Sequence, residues 1–313
     1  MSNRDFTEEY IEINGIFQYF LHYPSAQKEV VIMLHGGPGS SNAFFAHILR
    51  PYWDFSNVVY YDQRGTGKTL KKNKTNPNDL NMDVYISDLK QTISYIKKKY
   101  QTDRIILLGQ SWGTMLGTHY VLKHPDDVIG YIGTGQVVDA RREMKIAYDK
   151  LKDTLEGAGA EKDLKKLMDL GDYPNVSADN FYNQVMPFQR LQSKHGLAIN
   201  VSKVLKTTLK SPVFRLSDLF LLPKGSKLIH QAPDILNILV DYGVWDITDY
   251  SVPVYYILGR DDWQVPSVLA AEYFEKINAP QKRLYWIENA GHVTDVDNPA
   301  DFCKAVKEVI MQL

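Results

Sequence analysis

The 313-residue chain has one cysteine, Cys303, so no internal disulfide can form and a fold stapled by sulfur is excluded. Its setting, ADFCKAVKEVI, reads as an amphipathic helix in which the thiol is a packing group. An excess of either charge is also missing: 36 basic residues nearly cancel 37 acidic ones, for a net charge of -1. Such a balance offers no field to gather nucleic acid, and the lysine clusters LKKNK (70–74) and KKK (97–99) read as solvated faces. No apolar run approaches the roughly 18 residues of a membrane-spanning helix. The opening MSNRDFTEEY lacks the basic end and apolar stretch of a targeting peptide, so the expectation is a soluble, cytoplasmic protein. None of the eight histidines falls in an H-x-H or H-E-x-x-H pattern, and no metal site is expected. Internal repeats and low-complexity linkers are absent as well. With a hydrophobic share of 44%, enough for a substantial core, disorder is not the default expectation.

What is present has a rhythm. YIEINGIFQYFLHY alternates around Asn14-Gly15, a pair suited to a tight hairpin. Short apolar runs follow at 30–34, 58–61, 104–109, 128–133, 254–259 and 283–287, none with a polar face, as in strands buried on both sides. Helical spacing separates several of them, as in Val84, Ile86, Leu89, Ile93 and Ile96. Strand and helix in repetition predict an α/β fold, a mostly parallel sheet with helices on both faces. Between about 137 and 245 the pattern turns helical without a convincing strand, then the strands resume. The economical division is a core of 1–136 and 246–313 interrupted by a helical cap, 137–245, placed over the strand ends.

Gly109-Gln110-Ser111-Trp112-Gly113 ends one strand-like run and begins a helix-like one. A sharp strand-to-helix turn lifts a serine hydroxyl clear of the sheet and needs small residues on either side, where backbones pass close together. A serine is a poor nucleophile without a base, and the base needs an orienting acid. His292, in ENAGHVTDVDNP after the last strand-like run, is the histidine in the required place. The acid must come from GRDDWQVP, where neighbouring residues point to opposite sides, so Asp261 and Asp262 cannot both face one imidazole. HGGPG (35–39), directly after a strand-like run, lets main-chain N–H groups approach an oxyanion, with Gly37 and Trp112 as the candidate pair. His35, His119 and His124 read as structural. YDQRGTGKT has the Gly-Lys-Thr of a phosphate-binding loop, but Asp62 stands where that pattern needs glycine, and the LKKNKTNPNDLN that follows is not helical in character.

HGGPG, DQRGTG, GQSWGT, GRDDWQVP and AGH, in this order, resemble the α/β-hydrolase superfamily and, within it, the proline iminopeptidase-like branch. The resemblance covers most of 10–135 and 246–313. It implies the α/β-hydrolase fold, with a mostly parallel eight-stranded sheet and an inserted helical cap, and no cofactor. It also implies a nucleophile at Ser111, a base at His292, and oxyanion donors at Gly37 and Trp112. Its G-x-x-D-x-x-x-P pattern, met by Gly259, Asp262 and Pro266, assigns the acid to Asp262 rather than Asp261. The implied substrate is a small molecule or short peptide, with Gly36, Trp263 and Asp241 as candidate contacts. Two features depart from the branch. Trp263 stands where certain relatives carry a glutamate for the substrate's amino group, and no acid of the cap (Asp218, Asp234, Asp241, Asp246) matches the family's cap motif. An aminopeptidase is favoured by the resemblance, an esterase or other acyl hydrolase by the departures, and a non-catalytic binding protein by neither.

Overall fold

The computed structural model describes residues 5–313; residues 1–4, part of the opening read for a targeting pattern, lie outside the described residues. Strands β1 (Thr7–Ile13) and β2 (Ile16–Tyr23) form the expected hairpin, with Asn14 and Gly15 at φ of 46° and 74°. The apolar runs become β3 (Val30–Leu34), β4 (Asn57–Tyr61), β5 (Ile105–Gln110), β6 (Val128–Thr134), β7 (Val254–Gly259) and β8 (Lys282–Ile287). One sheet holds all eight in the order β1-β2-β4-β3-β5-β6-β7-β8. β2 pairs antiparallel with β1 and β4, and every other neighbouring pair is parallel.

Helices alternate with strands: α1 (Gly67–Lys72), α2 (Met82–Tyr100) and α3 (Trp112–Lys123) precede β6. Between β6 and β7 come α4 (Ala140–Gly157), α5 (Glu161–Met168), α6 (Phe181–Lys194), α7 (Val201–Lys210), α8 (Leu221–His230) and α9 (Pro233–Asp241). Then α10 (Ser267–Lys276) precedes β8 and α11 (Pro299–Ile310) ends the fold. Alternate strand residues feed two cores. Val30, Ile32 and Leu34 pack in the cluster of α2, α3 and α10, whereas Val31 and Met33 pack in that of α11, which contains the buried Cys303. Burial pushes this thiol up to about 12, so it stays protonated and inert. Double burial is why the strands lack a polar face. β8 departs from that expectation: Lys282 and Arg283 are exposed, because it ends the sheet.

The stretch between β6 and β7 contains no named strand among the described residues. Its ends meet in an isolated antiparallel bridge, Asp139 to Gly243, flanked by hydrogen bonds from the Ala140 N–H to the Tyr242 carbonyl and from the Val244 N–H to the Val138 carbonyl, each 2.9 Å. The stretch has its own core, including Leu151, Leu155, Phe188 and Leu191, and among the described residues Trp263 is the contributor from outside it.

Two sequence readings change. The lysine clusters are partly paired rather than freely solvated: Lys97 with Asp127, Lys99 with Glu9, and Lys71 with the buried Asp218. A short helix, α1, also runs into the start of LKKNKTNPNDLN. Its first turn is held by Asp62, which accepts the Lys68 N–H at 2.7 Å. The Lys68 ammonium is taken by Glu8 at 2.6 Å, so this Gly-Lys-Thr is a structural turn.

Candidate active site

Ser111 joins β5 to α3 with φ 52° and ψ -121°, a conformation costly for a side-chain-bearing residue. The two glycines of G-x-S-x-G make that turn possible by close approach. A Cβ on Gly109 would lie 2.6 Å from the Gly113 carbonyl oxygen, and one on Gly113 would lie 2.0 Å from that of Leu34. Behind the serine, buried Gln110 ties two segments to the end of β5: it accepts from Asn42 and donates to Asp295 at 3.1 Å. Trp112 is similarly held, its indole N–H donating to Gln63 at 2.9 Å. Gln63 in turn donates its backbone N–H to His35 Nε2 at 3.0 Å. Burial lowers the His35 pKa to about 4, so this histidine is a neutral structural acceptor. The DQRG motif is therefore scaffolding: Arg64 clamps Asp88 through two bonds of 2.8 and 2.9 Å, and Asp62 holds Ser41 and α1.

Asp262 and His292 leave the C-terminal ends of β7 and β8, the same sheet edge from which Ser111 emerges. Their side chains are almost fully buried, and His292 Nδ1 lies 2.9 Å from Asp262 Oδ2. The other carboxylate oxygen accepts the N–H groups of Gln264 and Val265, both at 3.0 Å, so the acid is fixed at both ends. Burial pulls the His292 pKa down, but Asp262, with help from Glu143 and Asp297, more than offsets it and the pKa ends above the usual imidazole value. The end of β6 brings this pair to the serine. The Ser111 N–H donates to the Thr134 carbonyl at 3.1 Å, and a Cβ on the next residue, Gly135, would lie 2.9 Å from His292 Cε1. Asp261 faces elsewhere. It is exposed and lines a separate groove with Arg190, Asn200 and Asn289.

A cavity of about 370 Å³ opens over this sheet edge, and Gly37, Ser111 and Trp112 all line it. Trp112 is the first residue of α3, where backbone N–H groups have no intrahelical acceptor. Gly37 has φ 116°, a backbone conformation that side-chain-bearing residues rarely adopt. The opposite wall comes from the insertion: Glu143 and Met144 of α4, Tyr182 and Gln189 of α6, Ser226 and Ile229 of α8. α8 sits directly on the glycine loop, since a Cβ on Gly225 would meet the Gly39 oxygen at 2.3 Å.

The three candidate substrate contacts lie off the cavity wall. Gly36 is buried beneath the serine, where a Cβ would lie 3.2 Å from Ser111 Cβ, and is a spacing residue rather than cavity wall. Trp263 also stays off that wall. Its carbonyl accepts from Gln192 of α6 at 2.8 Å and its ring lies 4.6 Å from the Lys150 ammonium of α4, so this aromatic anchors the insertion. Asp241 is exposed and paired with Arg141 at 2.7 Å, on a different surface depression. The carboxylate that does line the cavity, Glu143, escaped sequence reading because Asp139 and Glu143 look like an ordinary helix start; both do serve the first turn of α4.

A sequence profile described as alpha/beta hydrolase fold matches residues 29–168. A probable aminopeptidase, YbaC, of Bacillus subtilis is 22% identical over 96% of this chain and 92% of that protein. A proline iminopeptidase of Saccharolobus solfataricus is 26% identical over 98% of this chain and 93% of its own length. The crystal structure of a Mycobacterium smegmatis proline iminopeptidase superposes with a TM-score of 0.65 at 19% identity, covering 98% of each chain, which is agreement in fold. With the eight-stranded sheet and the serine at its strand-to-helix turn, these likenesses give the chain the α/β-hydrolase fold and make it a hydrolytic enzyme similar over nearly its whole length to the proline iminopeptidases.

Proposed function

We propose that Ser111 is the nucleophile of an aminopeptidase that releases a small N-terminal residue from a short peptide. His292 is its base and then its acid, and Asp262 is the residue that fixes the imidazole. The observation that carries this reading is the buried 2.9 Å contact between His292 and Asp262, set at the strand edge from which Ser111 emerges. With Nδ1–H given to Asp262, Nε2 is left free to take the serine proton as Oγ bonds to the carbonyl carbon. The N–H groups of Gly37 and Trp112 receive the charge that develops on the carbonyl oxygen. His292 returns its proton to the departing amine, and a water molecule, activated by the same nitrogen, cleaves the acyl-enzyme. Residues 137–245 act as a cap: α4, α6 and α8 wall the cavity and limit the length of the acyl part. The names of the full-length relatives support aminopeptidase action. A second reading, an esterase, is favoured by the many apolar residues on the wall, Met115, Val137, Val185 and Leu239 among them. Comparing aminoacyl arylamides, their N-blocked analogues and short acyl esters separates the two, since an aminopeptidase loses turnover when the amine is blocked.

Two further outcomes follow from the Asp262–His292 pair. Asp262→Asn leaves the wrong imidazole tautomer favoured and is expected to lower kcat by about 10⁴-fold. Asp261→Asn, at an exposed position, is expected to leave kcat within a small factor of wild type. The reverse ranking in steady-state assays would move the acid's role to Asp261. The base works only as neutral imidazole, and its pKa is raised, so kcat/KM should climb with pH through an acid limb centred above 6.5. A limb below that value in the measured profile would contradict the coupling to Asp262.

A further inference from the structure

Among the described residues thirteen large hydrophobic side chains are exposed, and six of them fall within residues 201–220: Val201, Leu205, Leu209, Leu216, Leu219 and Phe220. Single apolar residues on a surface need no explanation, but a concentration of this kind marks an interaction face. Inward packing fixes which groups are left outside. On α7 the side toward the core carries Val204 and the buried Thr208, and the Lys203 ammonium lies 3.2 Å from Asp297. Val201, Leu205 and Leu209, four residues apart, share a strip of the helix that is turned to solvent. Beyond α7, Phe214 packs edge-to-face on Phe44 with ring centroids 5.3 Å apart, and Asp218 is drawn inward to Lys71 at 2.9 Å. With Asp218 turned in, its neighbours are turned out: Leu216 is 76% exposed and Phe220 68%.

Charge on this segment is one-sided. Between 201 and 227 six basic residues stand against one acid, Asp218, in a chain whose net charge is -1. Asp218 is already taken by Lys71, whereas Lys206, Lys224 and Lys227 are exposed and have no ion-pair partner among the described residues. The partner that fits such a face is apolar within and negative at its rim. A second copy related by a two-fold axis would set this basic face against itself, and like charge opposes that contact. Nucleic acid would meet aliphatic side chains, Phe220 apart, where it needs a stacking platform.

We infer that residues 201–227 form a docking face for an anionic lipid bilayer. Leu205, Leu209, Leu216 and Phe220 enter the boundary of the acyl chains, and Lys206, Lys224 and Lys227 meet the phosphate headgroups. The contact is peripheral, since no described helix is long and apolar enough to cross a membrane. Interfacial helices bind in this way, through apolar burial and attraction to anionic lipid together. α8 links the face to the cavity: Lys224 and Lys227 are on its exposed side, and Ser226 and Ile229 line the cavity that Ser111 shares. The inference stands apart from the aminopeptidase reading, because neither Ser111 nor its substrate enters it.

The test is cosedimentation of the full chain with two kinds of vesicle, phosphatidylcholine alone and equimolar phosphatidylcholine and phosphatidylglycerol. It is run at low salt and at about 0.5 M, where the screening length falls to roughly 5 Å. A lysine near an anionic surface contributes about fivefold in affinity, so three should give the mixed vesicles a preference of about 100-fold, most of it lost at high salt. Lys206→Gln with Lys227→Gln should weaken binding to the mixed vesicles by about 25-fold. Leu205→Ser with Leu209→Ser leaves every charge in place and should weaken it by at least about 10-fold, through lost apolar burial. All four side chains are at the surface, so thermal melts of both double variants should match wild type. Absence of binding to the mixed vesicles, or equal binding to the two kinds, would overturn the proposal. So would undiminished binding by the serine variant, which would mean adsorption by charge alone. Sedimentation equilibrium examines the rival occupant: a dimer of the parent that the serine variant abolishes would assign the face to a second copy instead. Arylamide turnover without vesicles decides the aminopeptidase reading separately, so each can fail without the other.

Discussion

Ser111→Ala is expected to reduce turnover of every substrate by about 10⁴- to 10⁶-fold, the span seen when a nucleophile that works as one unit with its base is removed. The fold should survive. Ser111 makes no side-chain cap to α3, so its hydroxyl is not a structural bond, and alanine meets the same backbone angles with a smaller side chain. The measurement pairs steady-state assays on arylamides and esters with a thermal melt and with fluorophosphonate labelling read by mass spectrometry. Wild type should be labelled at Ser111 and the variant should not. Undiminished turnover in a folded variant would end the serine-nucleophile reading, and failure to label folded wild type would favour a non-catalytic binding protein.

Gly113→Ala is expected to cause the largest loss of stability of any single methyl addition considered. The new Cβ would sit 2.0 Å from the Leu34 oxygen, 2.6 Å from the Leu34 carbonyl carbon and 2.9 Å from the His35 oxygen. All three are backbone atoms at the end of β3, so nothing can rotate aside; either α3 lifts away from the sheet or β3 shifts. A clash of this kind belongs with the exceptional substitutions above about 4 kcal/mol. In a chain of 313 residues that corresponds to a fall in Tm of at least roughly 6 °C. Gly157→Ala is the control. It ends α4 with nothing within 4 Å of its Cβ position, and it should melt at or slightly above wild type. Comparable melts for the two alanine variants would mean that β3 and α3 are not pressed together as described.

The strands were legible because each announces itself locally. VVIML, RIILLG and VYYILG match β3, β5 and β7 almost to the residue, since a strand covered on both faces must be apolar throughout. β8 was harder, for its run looks alike while its place at the end of the sheet leaves Lys282 and Arg283 exposed. Ser111, Asp262 and His292, the residues proposed to act together, could be proposed from sequence for a related reason: a strained turn, a loop that buries a carboxylate and a loop that presents an imidazole each need particular residues within a few positions. Trp263 was misleading. From sequence it occupies a site of substrate recognition, but Gln192 and Lys150, more than 70 and 110 positions away along the chain, draw it into the core of the insertion.

The sequence alone determined the α/β layering and the helical stretch between β6 and β7, and it supplied the serine, histidine and aspartate proposed for hydrolysis. These depend on short-range patterns of burial and backbone angle, and such patterns are written in consecutive residues. Only the tertiary structure decided what faces the serine. The cavity is assembled from the glycine loop, α3, α4, α6 and α8, brought together by packing between residues distant in the chain. Helical periodicity tells which side of α4 is apolar but not what lies opposite it. Glu143 acquired its setting from that juxtaposition: on an isolated helix it would be one more solvated acid near an N-terminus, and over the edge of this sheet it is, among the described residues, the one carboxylate on the cavity wall.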